Sequence, residues 1–200
     1  MINEPQKVVL LGESCADKTD IIAQYSMGTC DPEKTKSLTG QFVRKTLNFE
    51  EGKSVTLDIW DTAGQHYLPK IFLKGVKAVI LVYDITNKKS FIELKEFWCQ
   101  QIKKDENKEV VMVVAGNKNE LSEQKEISDE EVEEWAKSIG AVFFSISAKN
   151  GNGINEMFEY IGRKLIDPKF DYYADLPKKG LENKTNDQKI NKNNKNCLIY

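Results

Sequence analysis

Lys18 and Thr19 end a loop that opens at Gly12, directly after the apolar run Val8-Val9-Leu10-Leu11 and just before a helical pattern holding Ile21, Ile22 and Tyr25. This is the setting of a phosphate cradle. In the pattern G-x-x-x-x-G-K-[ST], backbone N–H groups at a helix N-terminus hold phosphate oxygens, the Lys neutralises them and the hydroxyl binds Mg²⁺. Here the pattern reads Gly12-Glu13-Ser14-Cys15-Ala16-Asp17-Lys18-Thr19, with Asp17 where the second Gly belongs. A carboxylate is therefore expected where phosphate docks. At ~4 Å and an effective dielectric near 20, each unit of like charge costs on the order of 4 kcal/mol before Lys18 and Mg²⁺ compensate. The competing expectation is that Asp17 caps the helix starting at Lys18, where a carboxylate is favourable.

Other polar clusters follow other apolar runs. Asp61-Thr62-Ala63-Gly64-Gln65 comes after Val55 to Trp60, Tyr83-Asp84-Ile85-Thr86 after Ala78 to Tyr83, and Asn117-Lys118-Asn119-Glu120 after Val110 to Ala115. Ser147-Ala148-Lys149 follows a weaker run, Ala141 to Ser145. The elements that must position these clusters are legible in the pattern. The runs beginning at Val8, Ala78 and Val110 are short, continuous and rich in β-branched residues, as strands buried on both faces should be. Helix-period apolar faces lie between them: Phe91, Leu94, Trp98 and Ile102, then Val132, Trp135, Ala136 and Ile139, then Ile154, Met157, Phe158, Ile161 and Leu165. Ser128-Asp129-Glu130-Glu131 reads as a capping box. Phe42 to Phe49 and Val55 to Trp60 alternate instead and flank a turn at Glu51-Gly52-Lys53, the pattern of a hairpin with one antiparallel edge strand. The expected fold is α/β: a doubly wound, mostly parallel six-stranded sheet with one antiparallel edge strand, flanked by about five helices, with ligands beyond the carboxyl ends of the strands.

Composition sets the outer bounds. Two hundred residues that are 40% apolar suit one globular domain, expected over 1–170, with a flexible basic tail over 171–200. No apolar run approaches the ~18 residues of a membrane span, and the first residues lack the basic and then apolar pattern of a signal peptide. A cytoplasmic protein is expected. Cysteines 15, 30, 99 and 197 have neither metal-ligand spacing nor the density of a disulfide framework. From Lys178 to Asn196 six Lys face only Glu182 and Asp187, so the body is more acidic than the net charge of −2 suggests. An acidic body argues against nucleic-acid binding.

Taken in register, these clusters resemble the Ras superfamily of small GTPases over roughly residues 6 to 166, as several motifs in one order rarely arise by chance. Ile59-Trp60-Asp61-Thr62-Ala63-Gly64-Gln65, Tyr83-Asp84-Ile85-Thr86 and Ser90-Phe91 resemble its Rab branch. The resemblance implies a GDP/GTP switch of vesicle traffic with slow GTP hydrolysis and Mg²⁺ as cofactor. Nucleotide contacts would come from Gly12, Glu13, Ser14, Cys15, Ala16, Asp17, Lys18, Thr19, Cys30, Ser37, Gly64, Asn117, Lys118, Glu120, Ser147, Ala148 and Lys149. Metal contacts would come from Thr19, Ser37 and Asp61, with Gln65 and Lys18 as the catalytic pair: Gln65 orienting the attacking water, Lys18 on the β- and γ-phosphates. Asn117 and the Ala148 N–H would read guanine edges, Lys118 would pack along the ring, and Ser147 would brace the loop.

The resemblance also implies effector proteins, an exchange factor and a GTPase-activating protein as partners, and a monomer. Phe42, Trp60 and Phe72 match the aromatic trio that Rab proteins offer effectors. Cys197-Leu198-Ile199-Tyr200 has the length and aliphatic middle of a prenylation box, which with the nearby Lys would place the protein peripherally on a cytosolic membrane face. The chain departs from the pattern at Asp17, at Cys30 in place of an aromatic beside the base, at Glu120 in place of Asp, and at Ser37 in place of Thr. Asp17, Cys30 and Glu120 support a rival reading, a pseudo-GTPase adaptor with weak or no nucleotide binding that works through the aromatic surface. An ATPase or nucleoside kinase would leave Asn117-Lys118 paired with Ser147-Ala148-Lys149 unexplained.

Overall fold

A computed structural model describes residues 4–29, 42–62, 73–103 and 110–175. Contacts divide the chain into Met1–Phe170 and Asp171–Tyr200; the second unit begins with a short helix, Tyr172–Asp175.

The first unit is built on a six-stranded sheet of β1 (Gln6–Leu11), β2 (Phe42–Asn48), β3 (Ser54–Asp61), β4 (Val76–Asp84), β5 (Val111–Asn117) and β6 (Val142–Ser145), in the order β2-β3-β1-β4-β5-β6. All neighbours run parallel except β2 and β3, the hairpin pair. Burial explains the sequence pattern. β1 and β4 are covered on both faces and are apolar almost without interruption, whereas β2 at the edge alternates between exposed and half-buried positions. The hairpin turn is a short 3₁₀ segment, Glu50–Gly52.

Helices cover both faces. On one side α1 (Lys18–Met27) and the long helix Ile154–Ile166 meet through Tyr25 and Phe158, whose rings stack with centroids 3.9 Å apart. On the other, Lys88–Glu93 runs through a π-helical turn, Leu94–Trp98, into Cys99–Lys103. Its Phe91, Leu94 and Trp98 join Val132 and Ala136 of Asp129–Ser138 in a cluster with Leu81, Tyr83 and Val114 of the sheet. Burying each such side chain contributes roughly 1.5–3 kcal/mol. The helices starting at Lys88 and Asp129 are capped by short polar side chains. Asn87 Oδ1 accepts from the N–H groups of Lys89 and Ser90, and Ser128 Oγ accepts from the Glu131 N–H at 3.2 Å. Residues 63–72, between β3 and β4, lie outside the described residues.

Register sets where the polar clusters end up. Leu10 pairs with Asp61, and Asp84 with Asn117. The carboxyl ends of β1, β3, β4 and β5 therefore finish at one edge of the sheet, where an α/β fold binds ligands.

Candidate functional site

The loop after β1 must turn sharply, and its glycine is dictated by geometry. Gly12 has φ 149°, and a Cβ there would lie 2.1 Å from the Val82 carbonyl oxygen, so no other residue fits against β4. Ser14–Ala16 then form one 3₁₀ turn, and Asp17 leads into α1. Lys18 is 2% exposed. Its ammonium folds back over the loop to donate to the carbonyls of Gly12 at 2.9 Å and Glu13 at 2.7 Å. Burial pulls the Lys18 pKa below the usual lysine range, against the opposing pull of Asp61. Thr19 Oγ1, one residue on, donates to Asp61 Oδ2 at the end of β3. Two residues that could share a hard cation are thus side by side.

Asp17 does not cap α1. Its side chain makes no capping hydrogen bond, and its backbone is left-handed, with φ 54° and ψ 43°. Asp tolerates that region better than most residues that carry a Cβ. The carboxylate lies 3.1 Å from Lys118 Nζ. The capping expectation therefore fails for a geometric reason: a residue inheriting a glycine's conformation cannot also adopt the extended backbone of an N-cap.

The loop after β5 is fastened to the first. Asn117 is fully buried, its Nδ2 donating to the Ala16 carbonyl at 3.1 Å and its Oδ1 accepting from the Ala148 N–H at 2.9 Å. The N–H assigned to a guanine edge is thus already engaged with a neighbouring side chain. Lys118 bonds Asp84 Oδ2 at 2.8 Å and the Cys15 carbonyl at 3.2 Å. Asp84 also accepts at Oδ1 from the N–H and hydroxyl of Thr86. Burial would raise its pKa, but these bonds outweigh it and hold the carboxyl below its usual range. Glu120, on the short 3₁₀ segment Asn119–Gln124, has a buried carboxylate oxygen, Oε2, with no hydrogen-bond partner. Ser147 is buried, and its Oγ accepts from the Asn150 N–H at 3.2 Å; Ala148 is buried and Lys149 exposed.

The structure thus brings together Gly12 to Thr19, Asp61, Asn117 to Glu120 and Ser147 to Lys149. Cys30, Ser37, Gly64, Gln65, Phe72 and Cys197 lie outside the described residues. Phe42 and Trp60 stack across the hairpin with centroids 4.9 Å apart, Phe42 remaining 42% exposed. Sequence reasoning placed Asp84 among the motifs without giving it a task. A carboxylate at the end of a buried strand was the available signal, because such a group needs a partner.

Comparison with known proteins agrees with this geometry. The Ras family profile matches residues 7–167. The Ras-related protein Rab-21 of Homo sapiens is 38% identical over 164 residues, which are 80% of this chain and 72% of that protein. Rab-21 of Dictyostelium discoideum is 37% identical over 163 residues, covering 80% of this chain and 76% of that protein. RabJ of the same organism is 34% identical over 175 residues, covering 86% and 68%. With the profile spanning most of the chain and the Gly12, Asp61 and Asn117 segments meeting at one sheet edge, the chain belongs to the Ras family, as a Rab-like small GTPase.

Proposed function

We propose that this protein is a guanine-nucleotide switch of vesicle traffic that hydrolyses GTP slowly. The observation that carries the reading is the bridge made by Asn117, which joins the loop suited to phosphate, at Ala16, to the loop suited to a base, at Ala148. A site with only one of these functions has no need of the bridge.

The residues fit the ligand. Glu120 Oε2, buried and without a partner, is suited to a ligand that brings N–H donors, as the guanine N1–H and exocyclic amine do. A ligand with the acceptor edge of adenine would leave that oxygen desolvated and unmet. Lys18 and the N-terminus of α1 supply positive potential for phosphates. Thr19 and Asp61 would hold Mg²⁺, which keeps few protein ligands when phosphate shares it and would draw charge from the phosphate oxygens. The protein's own part is positioning: Lys18 keeps the loop closed over Gly12 and Glu13, and Gln65 is assigned the attacking water.

Phe42 and Trp60, which stack on one another, are assigned to effector proteins, as is Phe72 by the Rab resemblance; an exchange factor and a GTPase-activating protein complete the set of regulators. No helix among the described residues is long and apolar enough to cross a membrane. A prenyl group on Cys197, with the lysines around it, would place the protein on the cytosolic face of an intracellular membrane. The test is a titration of nucleotide-free protein with GDP, GTP and ATP at millimolar Mg²⁺, together with single-turnover phosphate release. Guanine preference with slow release is expected. Failure to bind any nucleotide would overturn the reading in favour of a nucleotide-independent adaptor, and equal affinity for ATP would overturn the guanine assignment of Glu120 and Asn117.

A further inference from the structure

The extra carboxylate of the phosphate loop has a partner on the base loop. We propose that Asp17 is a positioning residue: it holds Lys118, and so locks the Gly12 to Thr19 loop to the Asn117 to Glu120 loop before nucleotide arrives. The proposal concerns the same site as the switch reading and rests on it for the identity of the ligand.

Two observations converge. Only three non-glycine residues among those described have positive φ, and two of them are the partners of this ion pair, Asp17 at 54° and Lys118 at 71°. A backbone conformation unfavourable to side-chain-bearing residues is thus held on both sides of one contact. The Lys118 ammonium is shared between Asp17 Oδ2 at 3.1 Å, Asp84 Oδ2 at 2.8 Å and the Cys15 carbonyl at 3.2 Å. It joins the phosphate loop at two points to the end of β4. A residue acting mainly against phosphate would have no cation of its own.

The two roles predict different behaviour. A brace acts on the loops whether or not phosphate is present, and its effect is the same for guanine nucleotides of any phosphate number. A repulsive charge acts in proportion to the phosphate charge it faces.

Hydrogen exchange of the nucleotide-free full chain, wild type against Asp17→Asn, tests the brace directly. Asn keeps the tolerance for left-handed backbone and removes the charge. Amides of 12–19 and of 117–120 are expected to exchange faster together, by about two- to fivefold, the loss appropriate to a partly exposed ion pair. Asp17→Gly, which suits left-handed backbone and removes the carboxylate while leaving Lys118 its bonds to Asp84 and the Cys15 carbonyl, should release the same amides and serves if Asp17→Asn does not fold. Dissociation constants for GMP, GDP and GTP then separate the alternatives. Asp17→Asn should weaken all three by a similar factor. Unchanged exchange at 117–120 would overturn the proposal, as would an affinity gain that grows from GMP to GTP. If the coupled exchange appears but the wild type binds no guanine nucleotide, the brace stands and the switch reading fails.

Discussion

Asn117 donates its side-chain amide to the backbone carbonyl of Ala16, 101 residues earlier in the chain, at 3.1 Å. With the bond from the Ala148 N–H to Asn117 Oδ1, one buried side chain ties three loops. In a low-dielectric interior such a group is worth most as a connector, since each of its partners would otherwise be desolvated without compensation.

Asn117→Ala is therefore expected to destabilise the fold as well as the site. It leaves the Ala16 carbonyl and the Ala148 N–H without this partner, at about 1–3 kcal/mol for each buried group left unmet. Urea unfolding of the nucleotide-free protein should show a loss of roughly 2–6 kcal/mol with an unchanged m-value. A loss below about 0.5 kcal/mol, the range of ordinary surface substitutions, would mean that water replaces both bonds and that the bridge is not structural.

Much of this arrangement could be read from the sequence. Val8 to Leu11, Ala78 to Tyr83 and Val110 to Ala115 declare themselves as two-sided strands because burial on both faces leaves no polar position. Once they are set in parallel, Gly12, Asp84 and Asn117 must reach the same edge. The role of Asp17 was not legible, because its expected place assumed a carboxylate facing phosphate or capping α1, and the deciding partner, Lys118, is distant in sequence. Nor was the engagement of Ala148 N–H by Asn117, since no pattern of types or spacing records which amide a side chain meets. Spacing identifies the loops; the hydrogen bonds among them depend on register, which tertiary packing sets.

The Asp84 and Lys118 pair predicts a pH dependence with a definite sign. Asp84 is buried, which raises its pKa, but the bonds from Lys118 and Thr86 prevail and lower it. Between that folded value and the unfolded one near 3.9, the unfolded chain binds more protons, so stability rises with pH. The contribution is present above the unfolded pKa and is lost as pH falls through the folded one. For Lys118, burial lowers the pKa, but Asp84 and Asp17 prevail and raise it; its contribution is present below about pH 10 and is lost as pH rises through the folded value. Asp84→Asn should accordingly flatten the acid limb of stability below about pH 4 and weaken the alkaline one. Urea midpoints measured across that range check both. An acid limb as steep in the variant as in the wild type would assign it to other carboxylates.

Gly12→Ala is the most severe substitution the geometry predicts. The added Cβ would lie 2.1 Å from the Val82 carbonyl oxygen, and the residue has φ 149°. Backbone on both sides prevents relief by a side-chain rotation, so the loop must withdraw from β4. Withdrawal breaks the contacts of Lys18 Nζ with the carbonyls of Gly12 and Glu13, which satisfy an ammonium that is otherwise buried. A stability loss of about 3 kcal/mol or more is expected, in the class of overpacked interiors with an uncompensated charge. The paired variant Gly12→Ala with Lys18→Met separates the two causes. If strain at β4 dominates, the pair is no more stable than Gly12→Ala alone. If the stranded ammonium dominates, Lys18→Met recovers part of the loss in urea unfolding, and Gly12 matters chiefly as the hinge that lets a buried lysine reach two carbonyls.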